Sequence, residues 1–394
     1  MLLVMTKLQQ ARASVFAYFL LCGSAVTIWA THIPVVEKSL ALSHAQTGIL
    51  ILIIGAGALA SMQLIGNLVD RFGSSSVLTW ISAALGLALV FPGFAPNFIL
   101  LAVSLFVLGA TIGGIDIAMN AHALEVEREY GRPIFSAFHA MWSIGGVFGS
   151  LSAGGALSLQ IAMPVTMGTW GLLTIATGLA FSKKLLNVTI DAGAESVAKS
   201  KGRPREFYYV LFIGLVSASA AIIEGIGIDW SALFTIEKFN SSVAVGGISI
   251  ATFTAAMAIV RFIADKVVAR YGRIFVIRNG ALVASVGIAL SIFTPNLPLS
   301  WIGWAIAGIG ISAVVPQCMA FASDIGSLQN QGRNLAKVVG LTYAGVLGGP
   351  AVIGFIGNAI GLQGALVSGI LLALFIAIGS ILMQKGKAKY GQTI

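Results

Sequence analysis

The sequence has little charge. Only 9% of its 394 residues are Asp, Glu, Lys or Arg, against about 25% in a soluble domain. So few ionised groups cannot cover the water-facing surface of a chain this long, which excludes a soluble globular protein. Cysteine is scarce as well. Cys22 and Cys318 are the only two, both fall in apolar runs, and no CxxC or Cys/His cluster accompanies them. Neither a disulfide framework nor a metal site is expected. Catalytic signatures are missing too. There is no G-x-x-x-x-G-K-[ST], no H-E-x-x-H and no G-x-S-x-G, and no loop is long enough for a nucleotide-binding domain. ATP hydrolysis, proteolysis and esterase chemistry are excluded, no cofactor is expected, and the protein does not read as an enzyme. Any work it does must draw on an ion gradient or on its substrate's own gradient.

What is present is apolar. Hydrophobic residues make up 57% of the chain, and 47 glycines suit the close helix packing found in lipid. A spanning helix needs roughly 20 apolar residues. Twelve such runs are predicted, near 13–36, 45–68, 76–93, 98–122, 134–157, 161–182, 207–235, 243–264, 275–294, 299–322, 335–357 and 362–384. The first is too long for a signal-peptide core and reads as span 1. Strands are not expected, because a helix satisfies its own backbone in lipid. With the N-terminus placed in the cytoplasm, every Lys and Arg except Lys38 and Lys238 falls on the cytoplasmic side or at an inner helix end, Arg261 included. This bias predicts a multi-pass protein of the plasma (inner) membrane with both termini cytoplasmic. It also accounts for the net charge of +9 without a nucleic-acid partner.

The expected organisation is an all-α membrane protein of two six-helix pseudo-repeats. An N-terminal bundle (1–182) is joined by a polar cytoplasmic linker (183–206) to a C-terminal bundle (207–394). Two short matches support the repeat. Asp70-Arg71-Phe72-Gly73 follows span 2, and Ala269-Arg270-Tyr271-Gly272 follows span 8, at an offset of 199 residues (73 to 272). Gly131-Arg132 before span 5 recurs as Gly332-Arg333 before span 11, offset by 201 (131 to 332). Parallel repeats of this kind place a solute site between halves that rock about it.

Intramembrane polar groups are the candidate site. Asp116 lies inside TIGGIDIAMN of span 4, where a charge costs about 2.5–3.5 kcal/mol on insertion scales. Protonation removes that cost, so Asp116 is a candidate for proton coupling. Asn120 shares its helical face. His139 on span 5 sits at a similar depth and is a candidate partner. Glu224 lies near the midplane of span 7, with Asp229 and Trp230 in its outer half. As a regular α-helix, span 7 points the two acids ~140° apart, so different partners are expected. Glu224 is the second proton-coupling candidate. Asp229 is assigned to the outer gate or the solute, and Trp230 to an interfacial anchor or a sugar-stacking platform. Trp29, Trp142, Gln317 and Tyr343 complete a set suited to an uncharged or weakly polar solute. His44 and His122 fall at helix ends, where solvation is expected. In the inner loop, Asp70 and Arg71 can cap neighbouring helix ends and latch one conformation.

These residues carry a resemblance. Gly66-Asn67-Leu68-Val69-Asp70-Arg71-Phe72-Gly73 resembles the G-x-x-x-D-R-x-G loop of the major facilitator superfamily, and Gly345 to Pro350 is similar to a glycine-proline packing motif of that superfamily. The second loop copy departs from the pattern, with Asp265 at the glycine position and Ala269 at the aspartate, but keeps Arg270 and Gly272. The resemblance implies that this loop controls switching between inward and outward states. Asp116-Ile117-Ala118-Met119-Asn120 resembles the acidic-x-Ala-x-Asn stretch of fucose-permease-like sugar:proton symporters, which implies a protonation site at Asp116. Those symporters also use an aspartate in span 1, where this chain offers only His32. IEGIGIDWSALF and FHAMWSIGGVFGS are similar to the rhizopine-associated, MosC-like bacterial permeases. The expectation is a monomeric secondary transporter, coupled to protons, for a small polar solute such as a sugar or sugar derivative. An exporter of drugs or metabolites with the same fold is the nearest alternative, although Ser104 and Leu105 stand where many exporters carry an arginine in span 4. A membrane sensor and a lipid flippase are the other readings.

Overall fold

A computed structural model describes residues 6–131, 134–186, 204–325 and 331–390. It contains helices and short turns, with no strand among the described residues. Spans 1 to 6 are Lys7–Ser39, His44–Phe72, Ser74–Val90 with a 3-10 turn Phe91–Phe94, Phe98–Tyr130, Phe135–Ser158 and Met163–Ser182. Span 7 runs from Pro204–Gly225 through a π turn, Ile226–Trp230, into Ser231–Phe239. Spans 8 and 9 are Val243–Tyr271 and Arg273–Phe293. Span 10 is split into Leu297–Ile311 and Val314–Ser323, and spans 11 and 12 are Gln331–Ile360 and Leu362–Tyr390. Eleven of these meet the length and apolarity of a membrane span; Phe135–Ser158 is not among them, although it has the length and is free of Asp, Glu, Lys and Arg.

Several helices outrun their apolar cores because caps continue them beyond the hydrocarbon. Thr6 and Ser43 form capping boxes with Gln9 and Gln46. Asn97, Ser242 and Asn296 accept from backbone N–H groups at the starts of spans 4, 8 and 10. Each cap satisfies donors a helix leaves open. Two departures from uniform α-helix are local. Pro316 lacks an N–H and crowds the carbonyl four residues before it, that of Ser312, where span 10 breaks. In span 7 the π turn winds through fewer degrees per residue than an α-helix. Glu224 and Asp229 are therefore closer in azimuth than regular α geometry predicts.

Helix pairing follows a six-plus-six scheme. In the first half, span 1 packs on 5, span 2 on 4 and span 3 on 6, and in the second half 7 packs on 11, 8 on 10 and 9 on 12. The halves meet through spans 5 and 8 and through spans 2 and 11, contacts that the same relation interchanges. The two inner loops match in backbone as well. Gly73 has φ +81° and ψ 150°, and Gly272 has φ +83° and ψ 162°. Both values favour glycine, which explains why these glycines survive in both copies. Only the ends of the expected linker 183–206 are among the described residues. Arg132 and the side chains of Arg333 and Asp265 lie outside them.

The seam between halves closes on the face opposite the termini, hereafter the outer face. A Cβ on Gly48 would sit 2.8 Å from the Pro350 carbonyl oxygen, and one on Gly354 2.4 Å from that of His44. Spans 2 and 11 thus touch backbone to backbone near their outer ends. On the inner halves of the same spans, a Cβ on Gly66 or Gly340 would meet nothing within 4 Å. Within the first half, Gly109 puts span 4 directly on span 2, since a Cβ there would lie 1.9 Å from the Ile54 carbonyl oxygen.

Gly109→Ala is expected to destabilise the protein by about 1–3 kcal/mol, because a backbone carbonyl cannot move aside as a side chain can. Gly66→Ala should be neutral or slightly stabilising, since it fills open space and favours helix by up to about 1 kcal/mol. Thermal melts of the detergent-purified variants check this, and equal losses in Tm would refute the packing argument.

Candidate functional site

Asp116 and Asn120 continue the glycine face of span 4 inward. Gly109 and Gly113 press that face against span 2, and residues three, four and seven positions on share it. Asn120 Nδ2 donates to Asp116 Oδ1 at 3.1 Å and to the Asp116 carbonyl at 2.8 Å. The residue as a whole is partly exposed, although its carboxyl group is enclosed by protein atoms. It lies close enough for its charge to act on the Tyr343 hydroxyl of span 11 and the Cys22 thiol of span 1.

The second cluster centres on Arg261. This residue lies ten positions short of the end of span 8 and points into the protein. That corrects its assignment to the inner-end charges. Arg261 Nη2 donates to Glu224 Oε1 of span 7 at 3.0 Å, and Nη1 donates to Ser143 Oγ of span 5 at 2.7 Å. Its guanidinium lies 5.9 Å from the centre of the Trp142 ring. Arg261 and Glu224 side chains are 15% and 22% exposed, so the pair borders an accessible space. The Arg261–Ser143 bond crosses from one half to the other.

His139 does not bond to Asp116. Its ring packs between Phe19 and Phe135, with centroids 5.2 and 5.1 Å away, and the charge of Arg261 reaches it. The separation has a topological cause: span 4 packs chiefly on spans 2 and 3, and span 5 on spans 1 and 8. Asp229 makes no hydrogen bond with the described residues. Its Oδ2 folds back over Gly225, where an added Cβ would lie 3.7 Å away. Trp230 is fully buried and meets His44 edge-on at 6.4 Å, so in this conformation its ring cannot stack on a solute. Trp29 and Gln317 are buried, with Trp29 Nε1 and Gln317 Oε1 lacking hydrogen-bond partners among the described residues, and Tyr343 is partly exposed. Buried His32 donates from Nδ1 to the Ile28 carbonyl at 2.8 Å.

The inner loops lie far from this cluster. Asp70 and Arg71 are exposed, and Asp70 forms no ion pair with the described residues. Arg71 lies over Phe72 and Arg270 over Tyr271, at 5.1 and 5.4 Å. Neither histidine expected in solvent is free. His122 is fully buried, with Nδ1 2.7 Å from Ser74 Oγ and 3.1 Å from Glu125 Oε2, while Nε2 accepts from Leu186 N–H at 3.2 Å. His44 lies between Glu37 and Glu237 on the outer rim.

Sequence reasoning missed Arg261 and Ser143. The signal was available for Arg261, which falls inside the apolar run 243–264 and costs as much there as an acid does. Ser143 carried none, because a serine within a span is unremarkable until a charged donor points at it.

Comparisons with known proteins agree with this architecture. The model of the Major Facilitator Superfamily matches residues 14–223 and again 210–391. The uncharacterized transporter y4wD of Sinorhizobium fredii is 31% identical over 377 residues, spanning 94% of this chain and 97% of its own length. Membrane protein MosC of Rhizobium meliloti is 30% identical over 379 residues, spanning 94% and 89%. A crystal structure of a bacterial homolog of the human lysosomal transporter Spinster, inward-facing and occupied, superposes with a TM-score of 0.79 at 16% identity, covering 97% of each chain. That last likeness shows the fold.

Glu224→Gln strands the Arg261 charge in a poorly hydrated site. The single variant is expected to lose on the order of 3 kcal/mol or less, the lower end for breaking a buried pair because both groups are partly exposed. Glu224→Gln with Arg261→Gln should recover most of that loss. A double-mutant cycle in Tm tests the coupling, and additive losses would show that the pair contributes none.

Proposed function

From the premise that this chain belongs to the major facilitator superfamily and is a membrane transporter, we propose that it moves a small polar solute, a sugar or sugar derivative, by alternating access coupled to protons. The observation that carries this reading is the placement of three groups at membrane depth. Asp116 on one half, and Glu224 paired with Arg261 on the other, all border accessible space where the seam between halves gives out. An arginine stays charged throughout the cycle. A proton arriving at Glu224 therefore changes what Arg261 holds, and with it the cross-half bond to Ser143. A proton at Asp116 removes a charge that reaches Tyr343 on the opposite half. Both events bias the halves against one another, as coupling requires. Trp142, Tyr343, Asn120 and Gln317 supply the aromatic faces and amides for a hydroxylated solute, with Asp229 and Trp29 above them.

The same reading orients the cycle. With both termini in the cytoplasm of the inner membrane, the sealed face is the outer one, and this conformation opens inward. Asp70 and Arg71 then lie exposed on the open inner face. They latch neighbouring helix ends when it closes. The transporter works as a monomer in the bilayer, with solute and protons as its partners.

The test uses proteoliposomes loaded with a pH-sensitive dye and a panel of sugars, polyols and amino derivatives. A solute-dependent pH change is expected in wild type and should fall at least about tenfold in Asp116→Asn, in line with loss of a proton-transfer group. If the variant moves protons with solute as well as wild type does, Asp116 is structural. If no solute in the panel moves protons in wild type, the coupling proposed here is wrong.

A further inference from the structure

The outer rim holds a second group of titratable side chains, far from Asp116 and Glu224. Glu37 ends span 1, His44 opens span 2, and Glu237 lies in the last turn of span 7. His44 Nδ1 is 3.0 Å from Glu37 Oε1, and His44 Nε2 is 3.4 Å from Glu237 Oε1. Thr47 Oγ1 donates to the other Glu37 oxygen at 2.7 Å, which fixes that carboxylate. We propose that Glu37, His44 and Glu237 form an external proton-binding site whose protonated form holds the two halves together at the outer rim.

The argument starts from the imidazole ring. A neutral imidazole has one N–H and one lone pair, so it can donate to only one of two flanking carboxylates and turns its lone pair on the other. An imidazolium is attracted to both as a cation, and the two contacts are ion-pair distances without the alignment of hydrogen bonds. Carboxylates on both nitrogens therefore fit the protonated ring. No other cation at the rim replaces it. Lys38 is exposed, and Lys238 donates to the Ile292 carbonyl at 2.6 Å. Span 7 also presents the edge of the Trp230 ring, and span 11 presents Gly354 and Gly357, with no titratable group.

The cluster is divided between the halves. Glu37 and His44 belong to the first and move together, whereas Glu237 belongs to the second. Rocking the rim open takes Glu237 away from His44. The proton is therefore held by two carboxylates when the rim is closed and by one when it is open. Linkage makes this reciprocal: closure favours protonation, and protonation favours closure. The stabilisation of the closed rim is present in acid and is lost as external pH rises past the value at which the closed-state imidazole releases its proton. The window lies near neutrality, where histidine titrates. The site rests on the two-half architecture of the family and not on Asp116 or Glu224 carrying protons.

Spin labels on Ser39→Cys and Ser241→Cys report the separation of the halves at the rim, by double electron–electron resonance in nanodiscs. The separated population at about pH 8.5 should be roughly fivefold that at about pH 5.5, the lower end of ordinary coupling between sites. His44→Ala should abolish the pH response. Glu237→Gln, a conservative change at an exposed position, should remove most of it. Asp116→Asn should leave it in place, which separates this site from the proposed coupling group. A distance distribution that ignores pH overturns the proposal. So does a response that survives His44→Ala, and so does one that vanishes in Asp116→Asn.

Discussion

An arginine cannot shed its charge, and at membrane depth it must be answered by another group in every conformation the protein visits. Arg261 meets that constraint through Glu224 on the neighbouring span, Ser143 across the seam and the face of Trp142. Spans 5, 7 and 8 must then stand in one register, because a shift of a single turn would leave a bare guanidinium in a poorly hydrated site. The contact between spans 5 and 8 is one of the two main seams between the halves. The charge therefore sets how deep that seam extends. Outward of Arg261, Gly146, Gly154 and Gly247 allow close contact between spans 5, 8 and 1.

The other seam is built differently. Spans 2 and 11 approach through Gly48, Pro350 and Gly354, with backbone against backbone at the outer end and open space around Gly66 and Gly340 farther in. Close apolar contact of this sort has no directional bond to break, so it can part and re-form as the halves move. In the proposed cycle, a small number of polar contacts at its edges decides between closed and open, namely the rim cluster outside, Arg261 and Ser143 in the middle, and the Asp70–Arg71 loop inside. The matched backbone of Gly73 and Gly272 gives both halves the same tight reversal at the inner face.

The glycine face of span 4 shows how packing and chemistry share one surface. Gly109 and Gly113 allow the helix to lie on span 2, and the same face then presents Asp116 and Asn120. The acid is thereby delivered to the margin of the seam instead of to lipid. The fixed hydrogen bond from Asn120 holds it there without neutralising it. A proton is what can neutralise it.

Much of the fold was legible in sequence because the bilayer poses a one-dimensional problem. Run length counts the spans. Asp116 and Glu224 were legible for the same reason, since any acid in an apolar run announces itself. Other features were not legible, most of them because they depend on distance through space. Asp116 and His139 do not meet in this conformation because equal depth on consecutive helices does not make neighbours when each helix packs on other partners. The π turn of span 7 moved Asp229 relative to Glu224, and local sequence carries no clear mark of it. His122 looked like a solvated helix end, yet Ser74, Glu125 and Leu186 enclose it. Glu37, His44 and Glu237 are unremarkable rim residues until spans 2 and 7 meet. The sequence by itself determined the twelve spans, the six-plus-six repeat and the identity of the buried acids, because hydropathy and charge act locally along the chain. Only the tertiary structure decided which charges meet, because the partners lie on helices brought together by packing across the seam.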